Sequence, residues 1–443
     1  MIDPIAHLAE QAPTQCALIS SDKQWTYSEL HNTIHAIYLD LKQRGVLPGE
    51  RVAFLAESKW QSIALLFALF RLQAIACPLS TKLPQEQIAI SLQRLGCQEL
   101  LALDTLPTTS CPAPSCEVYP NAPALFLFTS GTLKNPKIAV LTVNNFFFSA
   151  VGSLDILKLQ HSSRCLLSLP LYHVSGLSIL FRSFFAGATV CLSDQPMAEA
   201  IKNLKITHLS VVPTQLFRLL QEPQDALQTI AMQLQAILVG GAPLSAHLCA
   251  TALQQGLKIM PTYGMTETSS QVAINPNPTP TSCDQGIVLP YREVKIAETK
   301  EVLVRGKTLF KGYFDKESGT GLPCNAEGWF ATGDLGELHA DTLCIIGRKD
   351  NLFISGGENV QPEEIEAHLL TFPGVIQAVV IATLDEEFGA LPVAFVQMEQ
   401  EIVQQEIQDY LKHKLPSYKI PKKILPLPPH TGLKPSRAAL RNS

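Results

Sequence analysis

The chain has 443 residues, 46% apolar and 16% charged. At roughly 100–200 residues per domain, this is enough for two or three folding units with sizeable cores, and it excludes global disorder. The net charge of −5, with Lys and Arg together numbering 34, argues against a nucleic-acid protein, which carries a basic surplus or stripe.

The most apolar run, 63–70, stops at Arg71, well short of the about 20 residues a membrane helix needs. Near the N-terminus, Asp3 and Glu10 replace the basic start of a secretory signal, so a cytoplasmic setting is expected. The 11 cysteines are scattered, with no C-x-x-C pair; reduced thiols used as small core residues are expected.

Short apolar runs alternate with amphipathic stretches, the rhythm of an α/β fold. Strands are predicted at 51–55, 124–128, 164–169, 209–212, 236–239 and 258–261. Most end at Gly, Pro or a hydroxyl residue. Ligands of open α/β sheets gather beyond the carboxyl ends of strands, so the chemistry is to be sought in the loops that follow. The proline-rich stretch 108–123 reads as an exposed excursion. Beyond Asp334 the texture changes, with a strand at 343–346, a helix at 362–370, strands at 376–382 and 393–398, and a helix at 401–415. These form a compact α+β unit of about 95 residues. The expected division is a large N-terminal domain, 1–347, and a small C-terminal one, 348–443.

Five segments can carry chemistry. Thr129-Ser130-Gly131-Thr132-Leu133-Lys134-Asn135-Pro136-Lys137 follows an apolar strand. Hydroxyls, a glycine that lets backbone N–H groups approach and a lysine suit a polyphosphate, and an ordinary polar turn fits as well. In Tyr263-Gly264-Met265-Thr266-Glu267, a hydroxyl beside a carboxylate can hold Mg²⁺ next to phosphates, or can simply open a helix. Asp334, between glycines in Gly328-Trp329-Phe330-Ala331-Thr332-Gly333-Asp334-Leu335-Gly336, reads as a turn residue able to accept from two ribose hydroxyls or to cap its own backbone. The fourth segment is Gly347-Arg348-Lys349-Asp350 with Gly356-Gly357-Glu358-Asn359 shortly after, and the fifth is Gly432-Leu433-Lys434-Pro435-Ser436-Arg437. A lone tail lysine such as Lys434 is ordinarily solvated surface.

In this order and spacing, the five segments resemble the adenylate-forming superfamily of acyl-CoA synthetases, peptide-synthetase adenylation domains and luciferases. Softer matches at Trp25-Thr26-Tyr27-Ser28-Glu29-Leu30, Cys77-Pro78-Leu79, Gly240-Gly241-Ala242-Pro243-Leu244 and Val304-Arg305-Gly306 extend the resemblance over nearly the whole chain. It implies an α/β fold in which a large N-terminal domain of layered subdomains carries a small, mobile α+β lid. Three further features, Ser168-Leu169-Pro170-Leu171-Tyr172-His173-Val174-Ser175-Gly176, Val212-Pro213-Thr214-Gln215-Leu216 and the short tail Gly432-Leu433-Lys434, are similar to the o-succinylbenzoate–CoA ligase group.

The resemblance implies ATP, Mg²⁺ and coenzyme A as partners of a small carboxylic acid, with no nucleic acid or membrane; whether copies of the chain associate is left open. It also implies roles. Thr129, Ser130, Gly131, Thr132 and Lys137 would cradle the β/γ-phosphates, and Thr266 and Glu267 would serve the α-phosphate and metal. Gly240, Gly241, Ala242 and Tyr263 would line the adenine and acyl pockets, while Asp334 and Arg348 would hold the ribose. Lys434 would bridge the carboxylate and the α-phosphate, Asp350 would be the hinge, and Gly356 and Gly357 would face the pantetheine tunnel after rotation. His173 would wall the acyl channel. Arg182 and Gln215 are candidates for a second substrate carboxylate; alternatively, both belong to helix surface. Other aryl- or fatty-acyl-CoA synthetases and a non-catalytic nucleotide-binding relative are the competing readings.

Two places depart from the family pattern. Leu133, Lys134 and Ile138 replace Thr, Gly and Gly of the phosphate loop, and Tyr291 replaces the glycine expected after Pro290.

Overall fold

The computed structural model describes residues 3–129, 136–282, 285–385, 387–398, 403–429 and 437–441. Two large sheets dominate. The first, of 13 strands, has a parallel half and an antiparallel half. Strands Thr189–Cys191, Arg164–Leu166, His208–Val211, Ala236–Val239 and Ile259–Met265 run parallel. At Ser270–Ile274 the direction reverses, and antiparallel pairing continues through Gln285–Val288, Thr342–Arg348, Phe330–His339 and Glu301–Gly306 to Arg292–Ile296. The second sheet has six strands and includes Arg51–Leu55, Ile75–Leu79, Pro123–Phe128, Ile138–Thr142 and Gly312–Asp315.

Both sheets contribute to one core with the helices Trp60–Leu72, Val143–Leu157 and Val174–Phe185. The first of these is apolar on every side, with only its first two residues left partly exposed, as a helix packed all round must be. Aromatic rings lock the three together: Phe146 stacks on Phe181 at 4.4 Å, and Phe67 meets Phe184 edge-on at 5.4 Å.

After Arg348 the architecture changes, as the sequence texture implies. A three-stranded sheet of Val375–Asp385, Gly389–Met398 and Lys423–Pro426 is covered by the helices Pro362–Leu369 and Gln404–Lys412. It has its own apolar cluster around Val360, Ile365, Val380 and Ile407. Among the described residues, no helix is long and apolar enough to cross a membrane.

Several predicted boundaries shift. The strand predicted at 164–169 stops at Leu166, because Pro170 turns the chain away. The strand predicted at 258–261 runs on to Met265, so Tyr263 is a strand residue. Asp334, expected in a turn, lies inside the strand Phe330–His339. Gly333 takes φ +74°, whereas Gly336 marks close strand approach: a Cβ there would lie 2.6 Å from the Cys344 carbonyl oxygen. The helix predicted at 401–415 is described as Gln404–Lys412.

The N-terminal segment is anchored by charge. Arg71 Nε donates to Asp3 at 2.8 Å with both side chains essentially inaccessible, and Arg71 Nη2 lies 3.0 Å from His31 Nδ1. The proline-rich stretch is mostly exposed, yet it is strapped to this group by His31 Nε2 to the Pro114 carbonyl at 3.1 Å and Asp3 N–H to the Cys116 carbonyl at 3.2 Å. Burial, then the Arg71 charge, lowers the His31 pKa, so neutral imidazole is the form that fits. Removing one partner of such a pair leaves an uncompensated buried charge, which is strongly destabilising. Arg71→Met is expected to lower the melting temperature by about 5 °C or more; a scanning-calorimetry trace that overlays the parent's would show that the pair contributes nothing.

Candidate active site

The parallel strands bring the candidate segments side by side. Val211 pairs with Val239 and Val239 with Pro261. The segments that begin at Val212, Gly240 and Thr262 therefore emerge from the same edge. Gly240 fits because a Cβ there would lie 2.7 Å from the Thr262 side chain, and Gly241 adopts φ +81°. A Cβ on Gly264 would lie 1.9 Å from the Ser270 carbonyl oxygen, so the strand must be bare there to turn back on its neighbour.

Three separate segments converge on Asp334. It pairs across the ladder with Arg348. Arg348 Nη1 donates to Asp334 Oδ1 at 3.0 Å and to the Thr332 carbonyl at 3.2 Å, and Nη2 lies 3.1 Å from Asp350. The Tyr263 hydroxyl donates to Asp334 Oδ2 at 2.6 Å. Burial, then the Asp334 charge, pushes the Tyr263 phenol well above its ordinary pKa, so it stays a donor. Burial works against the Arg348 charge, but Asp334 and Asp350 outweigh it and raise its pKa. The result is a preformed carboxylate site whose orientation is fixed before any ligand arrives.

Thr266 and Glu267 sit on a short 3₁₀ turn, Thr266–Thr268, in place of the longer helix that was the alternative. Glu267 Oε1 accepts from the Tyr313 hydroxyl at 2.6 Å, and its carbonyl accepts from Phe310 N–H at 2.8 Å. Among the described residues no other donor to this carboxylate is seen. One acidic side chain with spare lone pairs suits Mg²⁺, which arrives largely liganded by water and phosphate. The described residues hold no cluster of three or more His, Cys, Asp or Glu able to cage a metal.

The phosphate-type loop is a hairpin closed at its base by Thr129 N–H to the Lys137 carbonyl at 2.8 Å, next to the pair Phe128–Ile138. Its tip, with Ser130, Gly131, Thr132, Leu133 and Lys134, lies outside the described residues. Lys137 places its ammonium 4.5 Å from the centre of the Tyr313 ring. Arg94 braces the loop by donating to the Pro136 carbonyl at 2.6 Å. Lys434, with Gly432 and Leu433, also lies outside the described residues.

His173 is the N-cap residue of Val174–Phe185; its ring is 4.7 Å from Tyr172 and it is half-buried. Arg182 is not on a helix surface: it is 6% exposed. It donates to Ser178 Oγ, Gln271 Oε1 and Ser210 Oγ, each at 3.1 Å. Burial lowers its pKa to about 10, and no carboxylate meets it among the described residues. Gln271, which no motif pointed to, also leaves its buried Nε2 without a partner. Gln215 spends its amide on backbone, accepting from Val212 N–H and donating to the Ser168 carbonyl, both at 3.1 Å.

Gly356 and Gly357, at φ +58° and +88°, form the two-residue turn between Phe353–Ser355 and Glu358–Val360. Two successive positive φ values are what a tight hairpin requires. Asp350 lies in the 3₁₀ turn Lys349–Asn351.

Contacts thus tie these segments together: Tyr263 joins the strand Ile259–Met265 to Asp334, and Tyr313 touches both Glu267 and Lys137. A family model for AMP-binding enzymes matches residues 5–314, and one for the AMP-binding enzyme C-terminal domain matches 364–432. The chain belongs to the AMP-binding enzyme family. It is 34% identical to 2-succinylbenzoate–CoA ligase of Escherichia coli, over 99% of this chain and 97% of the relative, and 32% identical to that of Bacillus subtilis, over 95% and 92%.

Among solved structures, an arginine-to-lysine variant of Escherichia coli MenE with bound OSB-AMS matches with a TM-score of 0.87 at 33% identity, covering 100% of this chain and 98% of that one. Bacillus subtilis o-succinylbenzoate coenzyme A synthetase in complex with ATP and magnesium matches at 0.84 and 30%, covering 96% of each chain. ATP-bound MatB from Rhodopseudomonas palustris matches at 0.88 but only 26% identity, covering 100% of this chain and 99% of that one.

Proposed function

We propose that this chain is an AMP-forming acid–thiol ligase that converts o-succinylbenzoate, ATP and coenzyme A into o-succinylbenzoyl-CoA, AMP and pyrophosphate in menaquinone biosynthesis. The observation that carries the reading is one protein joining the Asp334–Arg348–Tyr263 group to a buried arginine with no carboxylate partner among the described residues. The first suits a nucleotide; the second suits an acid with an extra carboxylate. Similarity over almost the whole length to 2-succinylbenzoate–CoA ligases supports the same acid. The cytoplasm, where ATP and coenzyme A are supplied, is the setting.

A carboxylate is a poor electrophile: it is anionic and lacks a leaving group. The substrate carboxylate oxygen attacks the α-phosphorus of ATP, its P–O bond to pyrophosphate breaks, and an acyl-adenylate forms. The thiol of coenzyme A, losing its proton, then attacks the acyl carbon and AMP leaves. The first step needs phosphate charge neutralised and the reactants aligned. Asp334, held by Arg348 and Tyr263, accepts the ribose hydroxyls. Thr129, Ser130, Gly131, Thr132 and Lys137 face the terminal phosphates, and Thr266 and Glu267 face the α-phosphate. Glu267 would hold Mg²⁺, whose bound charge offsets that of the phosphates. Gly240, Gly241 and Ala242 give the flat approach an adenine needs, and His173 walls the acyl channel.

Arg182 with Gln271 meets the distal carboxylate, and Gln215 supports that wall through Ser168. We divide the chain into 1–347 and 348–443, with Asp350 as the hinge; after rotation Gly356 and Gly357 line the path of the thiol arm.

Two experiments test this. Across a panel of acids supplied with ATP and coenzyme A, o-succinylbenzoate should turn over fastest. Arg182→Gln should cut kcat/KM for it by about 10–100-fold while sparing a simple benzoic acid, because a charged hydrogen bond is at stake. Faster turnover of an aliphatic or plain benzoic acid by the parent would sink the substrate assignment. Lys434→Ala should slow pyrophosphate release by roughly 10²–10³ and leave thioester formation from supplied acyl-adenylate intact; equal damage to both halves contradicts the role given to Lys434.

A further inference from the structure

Tyr313 belongs to none of the segments that define the site, yet it touches two of the groups assigned to magnesium-bound ATP. It lies on Gly312–Asp315, where it pairs with Ala139 on the neighbouring strand Ile138–Thr142. That register puts its ring beneath the start of the strand, where the Lys137 ammonium lies 4.5 Å from the ring centre. Its hydroxyl reaches the other way and donates to Glu267 Oε1 at 2.6 Å. The ring is itself set edge-on against Phe310 at 4.8 Å, and Phe310 N–H donates to the Glu267 carbonyl. One aromatic side chain therefore carries a cation on its ring face and an anion at its hydroxyl, and no ion pair joins the two.

This arrangement has a physical consequence. Opposite charges that share one neighbour attract each other, and a lysine on a flexible stem would be drawn toward the carboxylate if nothing held it elsewhere. A closed pair would neutralise the cation meant for phosphate and use up the oxygens meant for a metal. An aromatic face attracts an ammonium without neutralising it. A phenol O–H satisfies one carboxylate oxygen and leaves the second free. Tyrosine supplies both in one rigid side chain.

We propose that Tyr313 is a positioning residue for magnesium-bound ATP: its ring keeps Lys137 and Glu267 apart and charged, and its hydroxyl orients the Glu267 carboxylate toward the metal. The inference rests on the reading above, in which Lys137 serves phosphate and Glu267 serves the metal.

Calorimetric titration of the full chain with α,β-methylene-ATP, which cannot react at the α-phosphorus, separates the two functions when run in excess magnesium and again in EDTA. Tyr313→Phe keeps the ring and loses the donor. It should weaken binding about tenfold in magnesium, the size of one hydrogen bond to a charged group, and leave binding in EDTA unchanged. Tyr313→Leu removes the ring, so affinity in EDTA should fall as well. Adding Glu267→Gln to Tyr313→Leu should restore that EDTA affinity, because Lys137 then has no carboxylate to close on. A merely structural tyrosine would weaken both titrations alike and gain nothing from the second substitution.

The proposal is overturned if Tyr313→Phe matches the parent in both buffers, or loses equally in both. Two controls test the underlying reading separately. Glu267→Gln should abolish the magnesium effect, and Lys137→Ala should weaken binding in EDTA. If these two behave as stated and Tyr313→Phe is silent, only the role of Tyr313 falls; if they are silent, the assignment of Lys137 and Glu267 falls.

Discussion

The carboxylate of Asp334 is the point on which the rest of the site depends. It binds the antiparallel half of the large sheet to its parallel half through Tyr263, and it holds Arg348 across the ladder. From Arg348 the connection runs on: its second guanidinium nitrogen meets Asp350, and its carbonyl accepts from Gln361 Nε2 at 2.9 Å, just before the helix Pro362–Leu369. A path of contacts thus leads from Asp334 to the small α+β unit. Asp334 is 9% exposed at its side chain, whereas Arg348 is 39% exposed. The anion is fixed, and the cation is shared between it and the connection.

Much of this was legible in the residues. The alternation of apolar runs gave the α/β rhythm because buried parallel strands need near-continuous apolar sequence. A new sheet and a separate apolar cluster lie beyond Arg348, while the strand Thr342–Arg348, grouped with them in the sequence reading, pairs within the large sheet. The ends of the hydroxyl–glycine–lysine segment, Thr129 and Lys137, meet at the base of two paired strands after the apolar run. What stayed hidden was long-range. Asp334 looked like a turn residue because glycine is ambiguous: it serves positive φ and it serves close strand approach, and at Gly336 the second applies. Arg182 looked like helix surface because its helix carries one charge among apolar residues, and only the sheet beneath shows Ser210 and Gln271 waiting for it. Gln271 and Tyr313 are ordinary residues in ordinary strands, and no local pattern signals that their side chains converge on the site.

One departure from the family pattern acquires a physical account. Tyr291 stands where the family carries glycine, and it adopts φ +68°. Such a conformation costs a non-glycine residue about 1–2 kcal/mol. Contacts offset it: the Tyr291 ring lies 5.0 Å from Phe148, and Lys307 approaches both rings. Next to it Arg292 is buried and bound to the carbonyls of Gln271, Pro290 and Ser149. The glycine was exchanged for a residue that packs, within a segment held rigid by a buried guanidinium. That segment adjoins Gln271, which in turn accepts from Arg182.

The central claim is that the cleft closed by Asp334, Arg348 and Tyr263 receives a nucleotide whose phosphate carries the acid. A crystal structure of the full chain with a non-hydrolysable o-succinylbenzoyl-adenylate mimic tests it most directly. The account predicts both ribose hydroxyls on the Asp334 carboxylate, Arg348 still bound to it, and the distal carboxylate of the acid within hydrogen-bond distance of Arg182. A mimic seated elsewhere, with its ribose away from Asp334, would contradict it.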